Sequence, residues 1–299
     1  MSLRSLYRLI HTRTRILIGC LCLLAGPSVL GQTLYGSLIV GGSNYQGELK
    51  DDIVTFRGTR PAFGAGVSYG ITQRFSLSVE YMQGMLGGND RYNTNYLARR
   101  RNLSFDTRFH ELSLQGRAAL FRDSEKAVMP YLFMGFAVFR VDPFTSDSNG
   151  NRVFLYPLTT EGQGLPAYPD KPGNAYYNVS VPMGGGLELR LTRKLKADLE
   201  LSFRKTFTDN IDDVSGYYPD EFLLLQSRGP MAVQFSYRAD ELPAGDPFYP
   251  RAGTPRGNSG TLDWYYTFNL RFKYLLFDAG PPQGRSRQLI HGRNWPYKW

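Results

Sequence analysis

The chain has 299 residues, 35 lysines and arginines against 26 acids, a formal charge of +9, and two cysteines. Many of the charges alternate with apolar residues, which a phosphate-tracking patch does not require, so the basic balance does not point to nucleic acid. Both cysteines, Cys20 and Cys22, lie in the first 31 residues, which leaves the rest of the chain without disulfide or thiol chemistry.

Met1 to Arg15 carries four arginines and no acid, residues 16–30 are an apolar run, and Gly31 precedes Gln32. This is the pattern of a secretory signal peptide over residues 1–31. The run is too short for a spanning helix, and no stretch of about 18 apolar residues follows. Leu17-Ile18-Gly19-Cys20 fits a lipoprotein cleavage box only superficially. Its apolar region would be residues 16–19, short of the about 7 to 15 residues such a region needs. Without the leader, 31 bases face 26 acids, a charge of +5.

Eight segments then read as strands. Residues 33–42 alternate poorly through Gly36, Gly41 and Gly42. Residues 61–70 set Phe63, Ala65, Val67 and Tyr69 against small residues, and 74–84 set Phe75, Leu77, Val79 and Tyr81 against Ser76, Ser78 and Glu80. In 108–120, Leu112, Leu114, Ala118 and Leu120 oppose Glu111, Ser113, Gln115 and Arg117, whereas 129–141 are apolar on both faces. In 177–191 an apolar row from Tyr177 to Leu191 backs onto Asn178, Ser180, Glu188 and Arg190. In 194–207, Leu195, Ala197, Leu199, Leu201 and Phe203 oppose Lys194, Lys196, Asp198, Glu200, Ser202 and Arg204. The clearest case is 261–277, where Leu262, Trp264, Tyr266, Phe268, Leu270, Phe272, Tyr274 and Leu276 form one wall and Asp263, Thr267, Asn269, Arg271 and Lys273 the other. Side chains alternate along a strand, and a membrane-crossing strand needs about 9 to 11 tilted residues with its apolar face on lipid.

Connections of about 18, 21, 35 and 53 residues alternate with others of about 3, 7 and 3, as long outer loops and short periplasmic turns do. The long ones are 43–60, 85–105, 142–176 and 208–260; the turns are 71–73, 122–128 and 192–193. The expectation is an all-β, eight-stranded, antiparallel up-and-down transmembrane β-barrel with long extracellular loops over residues 32–277, followed by a basic aromatic periplasmic tail, 278–299. Threading this topology places Tyr69, Phe75, Tyr131 and Tyr274 at the periplasmic rim and Phe63, Tyr81, Phe139, Tyr177 and Trp264 at the outer rim, as two aromatic girdles. A soluble lipocalin-like barrel would alternate too, but with its apolar face inward. Its interior has no place for so many charges.

Eight strands enclose only enough space for side chains. Glu80, Glu111, Arg117, Glu188, Arg190, Glu200, Arg204 and Arg271 are therefore candidates for an interior ion-pair network, and an arginine replacing Thr267 on that face is expected to be milder than one on the apolar face. Residues 221–242 are too apolar for a freely waving loop; a short helix or hairpin capping the barrel would bury Leu224, Phe235 and their neighbours, and a partner-docking surface is the alternative. Asp209, Asp212 and Asp213 could offer oxygens to calcium, but they lack the EF-hand spacing, and a loop-stabilising network accounts for them without a metal. Asn44 and Gly47 suit a tight exit from the first strand. An enzyme would need a nucleophile and an oriented base. His110 and Glu111 alternate onto opposite faces, and His291 belongs to the opposite side, so no catalytic residue and no cofactor is expected.

Gly41-Gly42-Ser43-Asn44-Tyr45-Gln46-Gly47-Glu48-Leu49, Arg101-Asn102-Leu103-Ser104-Phe105, Thr160-Glu161-Gly162-Gln163-Gly164, residues 207–216, and Arg256-Gly257-Asn258 with Asp263-Trp264-Tyr265 resemble, in order, motifs of the PorG-like outer-membrane β-barrel family. That family includes a component of the type IX secretion and gliding apparatus. The resemblance implies an integral outer-membrane barrel, in contact with lipid, that docks periplasmic ring subunits of the secretion machinery. Glu48 departs from the family's pattern, which has Asp there, and the tail lies outside the matching motifs. Arg285, Arg287, Arg293, Trp295, Tyr297 and Trp299 are the candidate docking residues, since arginine and aromatic anchors are enriched where interfaces carry their energy. The alternatives are a general outer-membrane barrel binding surface ligands through its long loops, and a lipid-active enzyme.

Overall fold

The computed structural model describes residues 32–50, 58–121, 127–258 and 260–279. The signal peptide expected over 1–31, most of the turn at 122–128 and the tail's candidate docking residues lie outside them.

In chain order the strands are β1 (Thr33–Gln46), β2 (Arg60–Gly70), β3 (Phe75–Asn89), β4 (Ser104–Ala119), β5 (Val128–Arg140), β6 (Phe144–Ser146), β7 (Arg152–Phe154), β8 (Tyr177–Arg190), β9 (Leu195–Thr206) and β10 (Trp264–Asp278). The six-residue α1 (Tyr96–Arg101) and the helices α2 (Glu221–Arg228) and α3 (Pro230–Ser236) sit in the long connections. Eight strands, all but β6 and β7, pair antiparallel in a closed ring. β1 runs alongside β10 from Thr33↔Asp278 to Gln46↔Trp264, and β3 alongside β4 from Phe75↔Ala118 to Asn89↔Ser104. Closure removes the unpaired edges that would otherwise recruit further strands. The hairpin β6–β7 is an addition to the expected eight strands; it leans on β4 through Asp106↔Phe144.

Two of the short turns share one device. Thr72 Oγ1 accepts from the backbone N–H groups of Arg74 (3.2 Å) and Phe75 (3.0 Å), and Thr192 Oγ1 accepts from those of Lys194 (3.2 Å) and Leu195 (3.0 Å). A threonine hydroxyl closing its own turn explains how three or four residues reverse the chain at both places.

Alternation sorts the wall into two environments. Leu38, Phe63, Val67, Val79, Leu112, Phe136, Val179 and Leu199 stand exposed on the outside, while Ser78, Glu80, Gln115, Arg117, Asp198, Arg204 and Arg271 are buried within. No helix is long and apolar enough to cross a membrane among the described residues. Two residues assigned above to the aromatic girdles belong elsewhere. Tyr131 and Phe139 point inward and are 4% and 0% exposed. The sequence of β5 is apolar on both faces, so its alternation carries no sign. The structure turns Leu132, Met134, Phe136 and Val138 outward and Tyr131, Phe133, Ala137 and Phe139 inward. Gly186 makes room for one of them: a Cβ there would lie 2.6 Å from the Tyr131 hydroxyl and 2.5 Å from the carbonyl of Leu199.

The outer ends of the strands run further than alternation suggested, since β3 continues to Asn89 and β4 begins at Ser104. These extensions enclose the main apolar core, built from Tyr45, Leu49, Leu86, Phe105, Phe109, Phe139, Ile211, Val214, Phe235 and Tyr265 among others. It lies at the long-loop end. α2 and α3, within residues expected to cap the barrel, bury Leu224, Ala232 and Phe235 and expose Phe222, Leu225 and Met231. Asp220 caps the first of these helices by accepting from the N–H of Leu223 at 2.9 Å.

Arginine in place of outward-facing Leu199 or Leu270 is expected to cost about 2 to 4 kcal/mol near the bilayer midplane, with little loss for phenylalanine at either position. Urea-driven unfolding from lipid vesicles measures it, and equal tolerance of arginine and phenylalanine would contradict the outward assignment.

Candidate functional site

The interior is a ladder of ion pairs that crosses the lumen between strands far apart in sequence. At the turn end Glu188 takes Lys196 at 2.6 Å and also Lys273, and Lys273 reaches Asp198 at 3.1 Å. Arg117 spans to Asp198 (2.6 Å) and Glu200 (3.0 Å), its guanidinium 4.3 Å from the Tyr131 ring centroid, and the Tyr131 hydroxyl donates to Glu200 at 2.8 Å. Arg271 bridges Glu80 (2.9 Å) and Glu200 (3.0 Å). Above it Arg204 holds Glu111 through Nε (3.3 Å) and Nη2 (3.2 Å), and Tyr265 donates to the same carboxylate. Glu80, Glu111, Glu188, Asp198 and Glu200 thus face Arg117, Lys196, Arg204, Arg271 and Lys273. A charge withdrawn from water is tolerated only when matched and hydrogen-bonded, and here the matching runs the length of the lumen.

Of the residues singled out from the sequence, the structure brings Glu80, Glu111, Arg117, Glu188, Glu200, Arg204 and Arg271 into this ladder and leaves Arg190 out of it. Arg190 ends β8 at the turn-side mouth, where it is exposed and makes no ion pair among the described residues. Asp198, Lys196 and Lys273 join with equal weight, and the alternation of β9 and β10 carried that signal. The expectation for Thr267 also changes. Its hydroxyl accepts from Arg204 at 2.6 Å and the residue is fully buried, so an arginine there would press a second guanidinium against the first. His110 lies on the outer wall with its Nδ1 2.7 Å from the Tyr81 hydroxyl, while Glu111 is buried inside.

A second polar assembly closes the long-loop end, and the motifs that carried the family resemblance converge on it. Glu161 accepts from the backbone N–H of Ser215 (2.9 Å) and Gly216 (2.8 Å) and pairs with Arg256 at 3.0 Å, while Arg256 also donates to the carbonyls of Ser236 and Asp213. Arg101 grips Asp90 with two bonds of 2.8 and 2.7 Å. Asp212 accepts from the Val214 N–H at 2.9 Å and Asp263 from the Ile211 N–H at 2.8 Å. Between them the Tyr45 hydroxyl lies 2.5 Å from Asp212 Oδ2 and 3.0 Å from Asp263 Oδ1. One hydroxyl hydrogen cannot serve both, so a proton held on a carboxyl completes the set. Gly47 sits against this group, where a Cβ would fall 1.9 Å from the Tyr45 hydroxyl oxygen. That contact, rather than a turn alone, requires glycine.

Glu48, Asp209 and Asp263 bring one oxygen each within 4.8 Å of one another, an all-oxygen set of the kind a hard divalent cation takes. The sequence had grouped Asp209 with Asp212 and Asp213. The structure separates these, giving Asp212 to Tyr45 and Asp213 to the Thr160 hydroxyl at 2.5 Å. Burial keeps protons on the cluster. Glu48 is pushed up to about 9 by burial and then by Asp212 and Asp209, and burial lifts Asp209 to about 7, Asp212 to about 6 and Asp213 to about 7.

Residues 14–153 match a family model described as "Domain of unknown function (DUF6089)". No curated protein matches the chain. Among solved structures it is similar to Neisserial surface protein A, at 9% identity and a TM-score of 0.40 over 82% of this chain and 97% of that one. It is also similar to a major outer membrane protein from Thermus thermophilus, at 10% identity and a TM-score of 0.38 over 81% and 99%. OprG from Pseudomonas aeruginosa gives 8% identity and a TM-score of 0.36 over 82% and 96%. The fold is a closed, eight-stranded antiparallel β-barrel.

A carboxyl that binds its proton more tightly folded than unfolded stabilises the fold fully below its unfolded value and loses that contribution as pH rises through its folded value. The long-loop cap is therefore expected to be more stable at pH 5 than at pH 9, the loss setting in above the ordinary carboxylate range at about 4, and Glu48 carrying it from about 7 to about 9. Thermal melts followed by near-ultraviolet circular dichroism of the cap tyrosines report it, and Glu48→Gln should flatten the upper part of the profile.

Proposed function

We propose that this protein is an integral outer-membrane barrel that serves as a structural and docking component of the type IX protein secretion machinery, binding periplasmic ring subunits on its turn side. The observation that carries this reading is the filled lumen. Paired charges occupy the barrel and an apolar core roofs the long-loop end, so the molecule offers surfaces to partners rather than a passage. The apolar outer wall supports residence in lipid, and the long-loop motifs shared with the PorG-like family support the choice of machinery. Docking falls to the periplasmic side, with the tail residues Arg285, Arg287, Arg293, Trp295, Tyr297 and Trp299 as its first candidates.

A second reading, a barrel that binds surface ligands through its long loops, draws on one specific feature. Phe222, Leu225, Met231 and Phe248 are exposed on the loop side, at 68%, 44%, 51% and 78%. Apolar side chains on the water-facing end of a membrane protein suit a second surface.

Two measurements bear on these readings. In a planar bilayer the purified protein is expected to give no steady porin-sized current, because eight strands leave no open lumen. Affinity capture from detergent extracts, read by mass spectrometry, is expected to recover periplasmic ring subunits with the full chain and to lose them when 281–299 are deleted, with the barrel still assembled. Capture of none by the full chain would favour the surface-ligand reading.

A further inference from the structure

At its turn end the ion-pair ladder meets cations that it does not pair. At the turn-side mouth a cavity of about 260 Å³ is lined by Arg74, Arg117, Arg190, Lys196 and Lys273, with Glu188 as the acid among them. The acids at this level are shared several ways. Glu188 serves both Lys196 and Lys273, and a single oxygen of Asp198, Oδ2, serves Arg117, Lys273 and, at 3.7 Å, Arg271. Arg117 is buried, yet its Nε has no acceptor. The two arginines nearest the opening have no acidic partner among the described residues: Arg190 is exposed, and Arg74 donates to the uncharged carbonyl of Leu120 at 3.1 Å. Arg193 and Lys194, exposed in the neighbouring turn, add to the same field.

We infer that this mouth is a binding site for an acidic chain segment of a periplasmic partner, one or two of whose carboxylate side chains enter the cavity and pair with Arg190 and Arg74. The inference rests on the docking reading above and adds to it a place and a chemistry. The cavity is too small for a folded element but suits side chains presented from a strand or loop. The charged groups of its lining are mainly cationic, so it favours an anion, and arginine forks match carboxylates with two parallel bonds. Residues 280–299 are the wrong occupant: they hold Arg285, Arg287, Arg293 and Lys298 and no acidic side chain. Arg190 and Arg74 stand at the opening outside the paired ladder, so the partner group they fit is anionic. Each carboxylate that enters gives an opposite charge to arginines that have none among the described residues.

The test uses the full chain in detergent micelles, with hexaglutamate as the probe, titrated by calorimetry at low and high salt. Salt-sensitive binding is expected, weakened tenfold or more in the double variant Arg74→Gln/Arg190→Gln and unchanged in Arg91→Gln/Arg99→Gln, which removes equal charge from exposed positions on the long-loop side. Heat-modified gel mobility confirms that each variant is folded. Absence of binding, equal weakening by both double variants, or full displacement of the peptide by equimolar inorganic phosphate would overturn the assignment. Affinity capture with the mouth variant separates the two levels of the argument. Ring subunits retained as well as by the unaltered chain would remove the mouth site and leave the docking reading intact. Hexaglutamate bound at the mouth by a chain that captures no ring subunits would remove the docking reading and leave the site.

Discussion

Lipid cannot pair with a charge or accept a hydrogen bond, and the whole molecule is arranged around that refusal. The outer wall has to be apolar, so alternation sends every second residue of each strand into a lumen only wide enough for side chains. A polar group there has no bulk water to fall back on. Matching must then come from the opposite wall, which is why Arg271 on β10 finds Glu80 on β3 and Arg204 on β9 finds Glu111 on β4. Such pairs are weak evidence for added stability, because desolvation consumes much of their attraction, but removing one member leaves an uncompensated buried charge. What the ladder fixes is register: a strand slipped by one residue would turn its charges to lipid.

Beyond the wall the rules reverse. At the long-loop end the strands continue upward and meet a core of the ordinary kind, with Tyr45, Phe105, Phe109, Phe139 and Tyr265 facing inward beneath residues from the last long loop. Tyr45 stands edge-on to Phe105 with ring centroids 4.8 Å apart, and Phe139 and Tyr265 pack at 5.4 Å. The chain therefore has two interiors with opposite chemistry stacked along one axis, ionic in the barrel and apolar under the cap. Glu111 and Tyr265 sit where they meet.

How much of this was readable in advance follows from how many signals each feature had. β9 and β10 were plain, because polar or charged residues alternate with apolar ones along most of each strand. β5 was legible as a strand but not in orientation, and the placements of Tyr131 and Phe139 failed for that reason. The upper reach of β3 runs through Gly87 and Gly88, residues that read as loop until their close packing against Asp106 and Phe105 is seen. Membership of the ladder was visible in the pattern, whereas partners were not: a pairing across a closed barrel depends on strand stagger, which no local pattern encodes. The carboxyl cluster was hidden for the same reason. Glu48, Asp209 and Asp263 come from three separate segments, and spacing within one loop pointed to Asp212 and Asp213 instead.

The cap has a mechanical consequence. Its bonds join segments that are remote in sequence, as when Tyr45 at the top of β1 holds Asp212 and Asp263, or Arg256 holds Glu161. Once formed, the cap is a folded body seated on a lumen packed with side chains, and it cannot be drawn back through the barrel without being unfolded. In the outer membrane it would act as the head of a rivet whose shank is the eight-stranded wall. A pull exerted from the turn side would load hydrogen bonds and an apolar core, not merely the grip of lipid on the wall.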